Sequence, residues 1–236
     1  MIYNYKMNRM NRRQVILHRR DMLKNRKEVL KKKQEHGILL SILIPTLVSR
    51  RKVFNAIVDK LMKQIGENHL DGLVEIISHF DNKTVGLSFK RNNMLRSSGG
   101  KFIAYLDDDD DVGDNYIKDI VDAINVNLDA DVITFKQHCN CDEKKFYVES
   151  GLNYELNMNK KINNTFYRYP WIWCVWRREH VVDIEFRDKD TKRPNCGEDE
   201  YWLKKIIESG KIKKEVKIDK ILHYYKFSSK LTETQK

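Results

Sequence analysis

Cysteine is scarce. The 236-residue chain has four, Cys139, Cys141, Cys174 and Cys196. That excludes a disulfide-built scaffold, and a chain of this length buries a core without one. The simplest expectation is reduced thiols in a cytoplasmic protein. His138, Cys139 and Cys141 lie close together, but no second ligand pair follows at zinc spacing, so small thiols at a strand end are the plainer reading. Proline is scarcer still, with three residues, and neither a low-complexity linker nor an internal repeat divides the chain. No apolar run approaches the ~20 residues of a membrane span. The apolar "QVIL" at 14–17 runs at once into "HRR", too short for a signal-peptide core.

Charge is abundant but uneven. Residues 1–36 hold twelve Lys/Arg and three Asp/Glu, a net +9 of the chain's +11, so the other 200 residues carry only +2. This arm lacks Gly and Pro and repeats apolar pairs every seven residues (Val15–Ile16, Met22–Leu23, Val29–Leu30), which predicts a basic helix with one narrow apolar stripe. Three partners suit it: the protein's own body or a second copy, an anionic membrane surface that would make the protein peripheral, or nucleic-acid phosphates.

The body, 37–236, alternates strand and helix patterns. "ILLSILIP" (38–45), "LVEIISHF" (73–80), "KFIAYLD" (101–107) and "DVITFK" (131–136) read as buried strands. Between them, 50–65, 90–100 and 114–128 have helical spacing, the second closed by glycine and the third opened by Asp114 as N-cap. This predicts one α/β domain with a mostly parallel, Rossmann-like sheet. After 137 the pattern loosens into an aromatic strand-like run (169–181), a helix ended by Gly210, and two short strands within 215–227.

Strand "KFIAYLD" ends in five aspartates, 107–111. Ligands of open α/β sheets bind beyond the carboxyl ends of the strands. Several carboxylates there can bind Mg²⁺ or Mn²⁺ through oxygen, and such an ion can hold a diphosphate.

"KRNNMLRSSGGKFIAYLDDDDD" (90–111) resembles the family 2 glycosyltransferase segment A-R-N-x-G-x-x-x-A-x-G-x-[YF]-[IV]-x-[FY]-L-D-x-D-D. Arg91, Asn92, Gly100, Phe102, Leu106, Asp107 and Asp109 keep its register, while Ser98 replaces an alanine and Met94 a glycine. "SILIPTLVSRRKVFNAIVDKLMKQ", "VEIISHFDN", "GEDEYWLKKI" and "ILHYYKFSSKLT" resemble further blocks in the family's order, although the usual "DDGS" is absent. The resemblance covers about 37–232 and implies a GT-A fold and metal-dependent, inverting transfer from a nucleoside diphosphate sugar, with a UDP-sugar favoured.

It also implies roles. Asp199, with Glu198 second, is the expected base. Asp109, Asp107 and His223 are the expected metal ligands. Pro45, Thr46, Asp81, Arg91, Asn92, Asp107, Asp108 and Asp110 are expected around the nucleotide sugar, with Arg91 as a fork for the diphosphate and Asp108 turned away from the ion. Trp173, Trp176 and Arg177 are candidates for the acceptor, whether glycan, lipid, teichoic-acid-like polymer or a hydroxylated DNA base. Two rivals compete: a nucleotidyltransferase, against which "PTLVSRRK" lacks a glycine-rich loop, and a non-catalytic nucleic-acid-binding protein, which leaves the aspartates without a role.

Overall fold

A computed structural model of the protein describes residues 37–142, 144–158, 160–187 and 197–227. The basic arm and Cys196 lie outside the described residues. Among the described residues ten strands form one mixed sheet: β1 (Leu40–Leu47), β2 (Val74–Asp81), β3 (Phe102–Tyr105), β4 (Asp111–Val112), β5 (Val132–Cys141), β6 (Lys144–Ser150), β7 (Lys160–Ile162), β8 (Thr165–Arg168), β9 (Val175–Arg177) and β10 (Glu215–Phe227). The helices are α1 (Arg51–Glu67), α2 (Leu87–Ser97), α3 (Tyr116–Val126), the single turn α4 (Arg178–Val181) and α5 (Glu198–Ser209).

The sheet order is β2-β1-β3-β9-β5-β6-β8-β7, with β10 along the other edge of β5. β2, β1 and β3 run parallel, as do β5 and β10. The expected parallel sheet is interrupted at its centre by β9, antiparallel to both β3 and β5. Trp176 and Val175 make that insertion stable, since both are fully buried there. Nothing in the local pattern of 169–181 distinguishes a central strand from an added one.

β1 does not stop at Pro45. The Leu43 carbonyl accepts from Leu106 N at 3.0 Å, so Pro45, two residues on, faces the same way but beyond the end of β3. Its missing N–H costs no ladder bond there. The 215–227 segment is one strand with register shifts between Ile218 and His223, not two. Helix α3 starts at Tyr116 with no side-chain cap, so Asp114 is not its N-cap. Buried Gln64 of α1 orders that start instead, giving its amide N–H to Gly113 O (2.9 Å) and taking Ile117 N (3.0 Å). Helix α2 ends at extended Ser98 rather than on glycine. Gly100 serves a different need: a Cβ there would lie 2.6 Å from Ser41 Oγ.

Two features aim the site. The short β4 pairs with β10, His223 opposite Val112, which folds the aspartate loop back onto β10. Helix α5 is held by Trp202, fully buried, stacked on Phe186 at 4.6 Å and bonded from Nε1 to Ile184 O at 2.9 Å. One turn earlier on the same face stands Glu198.

Candidate active site

A cavity of about 360 Å³ opens beyond the carboxyl ends of β3 and β5, lined by Asp107, Asp110, Asp199, His223, Trp173 and Arg168 among others. Four of the residues expected to carry chemistry therefore meet in one place, although they come from the β3 loop, α5 and β10.

Arg91 is the hub behind them. Its guanidinium is 2% exposed, and Nη1 donates to Glu198 Oε1 at 2.7 Å and to Asp199 Oδ1. Nη2 lies 3.6 Å from Asp107 Oδ1. Burial opposes its charge, but Asp199, Asp107 and Glu198 outweigh that and keep it firmly protonated. This corrects the expected diphosphate contact. Arg91 is committed to three carboxylates behind the cavity wall and holds Asp199 in place. Asn92 is corrected too, since its amide clamps the Phe186 backbone, donating to O at 3.0 Å and accepting from N at 2.8 Å.

The five aspartates diverge. Asp108 is buried, accepting from Thr46 Oγ1 at 2.6 Å and from Arg50 Nε at 3.0 Å. Arg50 Nη2 also meets Asp109 Oδ2 at 2.8 Å. Asp109, expected as the principal metal ligand, is 48% exposed and does not line the cavity. Asp110 takes the inward place. Asp111 pairs with Lys60 at 2.8 Å. The Asp107 side chain stays 44% open. Desolvation raises its carboxyl to about 7, with Asp110, Asp109 and Asp199 adding to the shift and Arg91 opposing it. Water in the cavity tempers that shift.

Asp81 closes its own turn. Burial opposes its charge, but an ion pair with Lys90 and the N–H groups of Thr84 (2.6 Å) and Val85 (3.1 Å) hold the carboxyl below its usual range. Lys90 also donates to Thr46 O at 2.9 Å. Pro45, Thr46 and Asp81 thus share the ends of β1 and β2, outside the cavity lining.

The acceptor candidates separate as well. Trp173 lines the cavity and stacks on His223, 5.6 Å between ring centres with planes 6° apart. Trp176 is core, fully buried against Trp202. Arg177 donates to the carbonyls of Ala130 (2.7 Å) and Leu128, and β9 places it opposite Phe102, at the amino end of β3. Neither Trp176 nor Arg177 can meet an acceptor in the cavity.

A hard cation fits the inner corner as a partial site. Buried Asp110 Oδ1 and His223 Nε2 have no hydrogen-bond partner, and Nε2 stands 3.1 Å from Asp110 Oδ2 but out of line for a bond. His223 Nδ1 is 2.8 Å from Gln137 Nε2. Among the described residues no three His, Cys, Asp or Glu side chains gather closely enough to enclose an ion alone. Mg²⁺-type sites commonly use one or two carboxylates and leave the remaining positions to substrate phosphates and water.

The family model for glycosyl transferase family 2 matches residues 41–181. The chain belongs to this family. The match ends before Asp199 and His223. No curated protein matches the chain. Among solved structures, S. aureus TarS is similar at 16% identity and TM-score 0.52, over 81% of this chain and 37% of that one. TarS 1–349 in complex with UDP is similar at 18% and 0.54, over 81% and 61%. The UDP-GlcNAc complex of TarS 1–349 is similar at 15% and 0.52, over 81% and 59%. The chain thus spans about two fifths of the first of these TarS chains and about three fifths of TarS 1–349. These likenesses establish a GT-A-like fold for this family 2 chain. Among the described residues no helix is long and apolar enough to cross a membrane.

Sequence reasoning missed Arg50, Lys90, Gln137 and Arg168. The first two hide in a basic stretch and a helix, where charge reads as solvated surface. The last two come from strands that carry no local motif.

Proposed function

We propose that this protein is a metal-dependent, inverting glycosyltransferase that moves a sugar from a nucleoside diphosphate sugar to an acceptor hydroxyl. The observation that carries this is the meeting of Asp107, Asp110 and His223 with Asp199 in one cavity. The TarS structures with UDP and UDP-GlcNAc support a UDP-sugar donor. The nucleotidyltransferase and non-catalytic readings draw no support from the family match.

Asp199 takes the proton from the acceptor hydroxyl as the new bond forms. Arg91 fixes Asp199 through Oδ1, and Glu198, 5% exposed, braces Arg91 from behind. Asp110 and His223, with Asp107 beside them, would hold Mn²⁺ or Mg²⁺, which supplies positive charge for the leaving diphosphate. Trp173 offers its ring as a wall for the sugar. The ends of β1 and β2, around Pro45, Thr46 and Asp81, receive the nucleoside.

The test is donor hydrolysis across UDP-, GDP- and dTDP-sugars with Mn²⁺. Asp199→Asn should lower the rate by about 10²–10⁴-fold, and Asp110→Asn should raise the Mn²⁺ concentration needed. If no donor is turned over, or both variants match the wild type, the proposal fails.

A further inference from the structure

The cavity reaches past the carboxylates to a wall made by β5, β6 and β8, and that wall holds a positive charge with no catalytic use. Arg168 stands there with its guanidinium 3.2 Å from the centre of the Trp171 ring. Nη2 makes one long bond to Leu156 O at 3.4 Å, and buried Nε has no hydrogen-bond partner. Among the described residues no carboxylate pairs with it. Desolvation lowers it to about 10, still charged at neutral pH. The contrast with Arg50 and Arg91 is plain, because both are saturated by aspartates or glutamates. A planar guanidinium that lines a cavity without a carboxylate partner matches phosphate or carboxylate.

Sheet parity carries a second, independent observation. Phe146 and Val148 of β6 line the cavity. Phe166 lies opposite Val148, and Lys161 opposite Phe166. Residues directly opposite share a face, so Lys161 stands on the cavity face, its ammonium 5.0 Å from the Phe166 ring centre. Lys144 lies opposite cavity-lining Cys141, two residues before Phe146, and shares that face too. Both lysines are exposed, and among the described residues neither makes an ion pair. Positive charge therefore runs from the cavity to the outer part of the sheet, while the carboxylates gather on the β3 and α5 side. Pro45, Thr46 and Asp81 do not line this space. What reaches the wall is the end of the reactants farthest from the nucleoside.

We propose that this wall is an oxyanion subsite in which Arg168 grips a phosphate or carboxylate carried by the acceptor, with Lys161 and Lys144 continuing the recognition outward. The assignment to the acceptor rests on the glycosyltransferase reading of the cavity. An acidic donor sugar would bring the same chemistry, so the test separates the two sources.

The first arm is binding to the full chain, followed by tryptophan fluorescence with Trp171 as reporter. Glucose 6-phosphate or glucuronate should give a saturable change and glucose should not. Arg168→Gln should weaken binding by about tenfold or more, and Arg168→Lys should recover part of it. A response to glucose equal to that for glucose 6-phosphate, or Arg168→Gln titrating like the wild type with its circular dichroism intact, overturns the subsite. The second arm is transfer. The wild type should prefer phosphorylated over neutral acceptors with UDP-glucose as donor, and Arg168→Gln should lose that preference. A defect that follows UDP-glucuronate against UDP-glucose, with a neutral acceptor, overturns the acceptor assignment. If no UDP-sugar is hydrolysed yet Arg168-dependent binding of glucose 6-phosphate holds, the proposed function falls and the oxyanion subsite stands.

Discussion

Replacing Arg91 with methionine strips the arginine's charge from three carboxylates while keeping much of the side-chain volume packed near Phe186 and Tyr105. The three losses differ. Asp107 and Asp199 have 44% and 22% of their side chains exposed and can turn to water in the cavity. Glu198 is 5% exposed and cannot. Breaking a buried pair in this way costs about 3–5 kcal/mol, a large share of a typical stability of about 5–15 kcal/mol. With a urea slope of about 2–3 kcal/mol/M, the unfolding midpoint should fall by roughly 1–2 M. Glu198→Gln in the same chain removes the buried charge, so Arg91→Met/Glu198→Gln should be more stable than the two single costs imply, with a coupling of about 1–3 kcal/mol. The assay is equilibrium urea denaturation of the wild type, both single variants and the double variant. A midpoint for Arg91→Met within about 0.3 M of the wild type, or strictly additive costs, would refute the reasoning that Arg91 is a charge hub.

Other outcomes follow from the same contacts. Burial lifts the Asp107 carboxyl from its ordinary 3.8 toward about 7. The folded state therefore binds more protons between those values, and this group's contribution to stability falls as pH rises through that window. Asp107→Asn should flatten that part of a Tm–pH profile, and an unchanged slope counts against the shift. Mn²⁺ should accordingly raise Tm more above pH ~7 than below ~5, where the carboxyl is protonated. Trp176→Ala should lose about 3–5 kcal/mol by denaturation, as a fully buried aromatic does. Gly100→Ala should destabilise by about 1–3 kcal/mol, because the added carbon meets Ser41 N at 2.7 Å as well as its hydroxyl; thermal unfolding measures this.

The parallel core was legible because buried strands such as 38–45 and 101–107 are short, mostly apolar runs, and because helices such as α1 bury Phe54, Ile57, Leu61 and Ile65 at helical spacing. Both signals are local. The place of β9 was not legible, since a strand's neighbours depend on the whole chain. The site divides along the same line. Asp107, Asp199 and His223 sit in segments whose pattern can be read, and the structure gathers them. Glu198 and Asp199 beside Arg91, and Phe186 beside Asn92, lie 94 to 108 residues away in sequence, so a motif could mark Arg91 and Asn92 without revealing that one holds Asp199 and the other holds a backbone.

The aspartate run shows what a motif leaves open. Five identical side chains differ only in where the loop turns each one, and that is set by contacts elsewhere: Arg50 and Thr46 hold Asp108, Arg50 holds Asp109, and Lys60 holds Asp111. Asp110 faces inward because β4 pairs with β10 and brings His223 beside it. Arg50 thus takes up two carboxylates that would otherwise crowd the corner, and the repulsion that five adjacent aspartates create is answered one basic partner at a time. The carboxylates at 107 and 110 line the cavity, where the cation of the proposed reaction would bind.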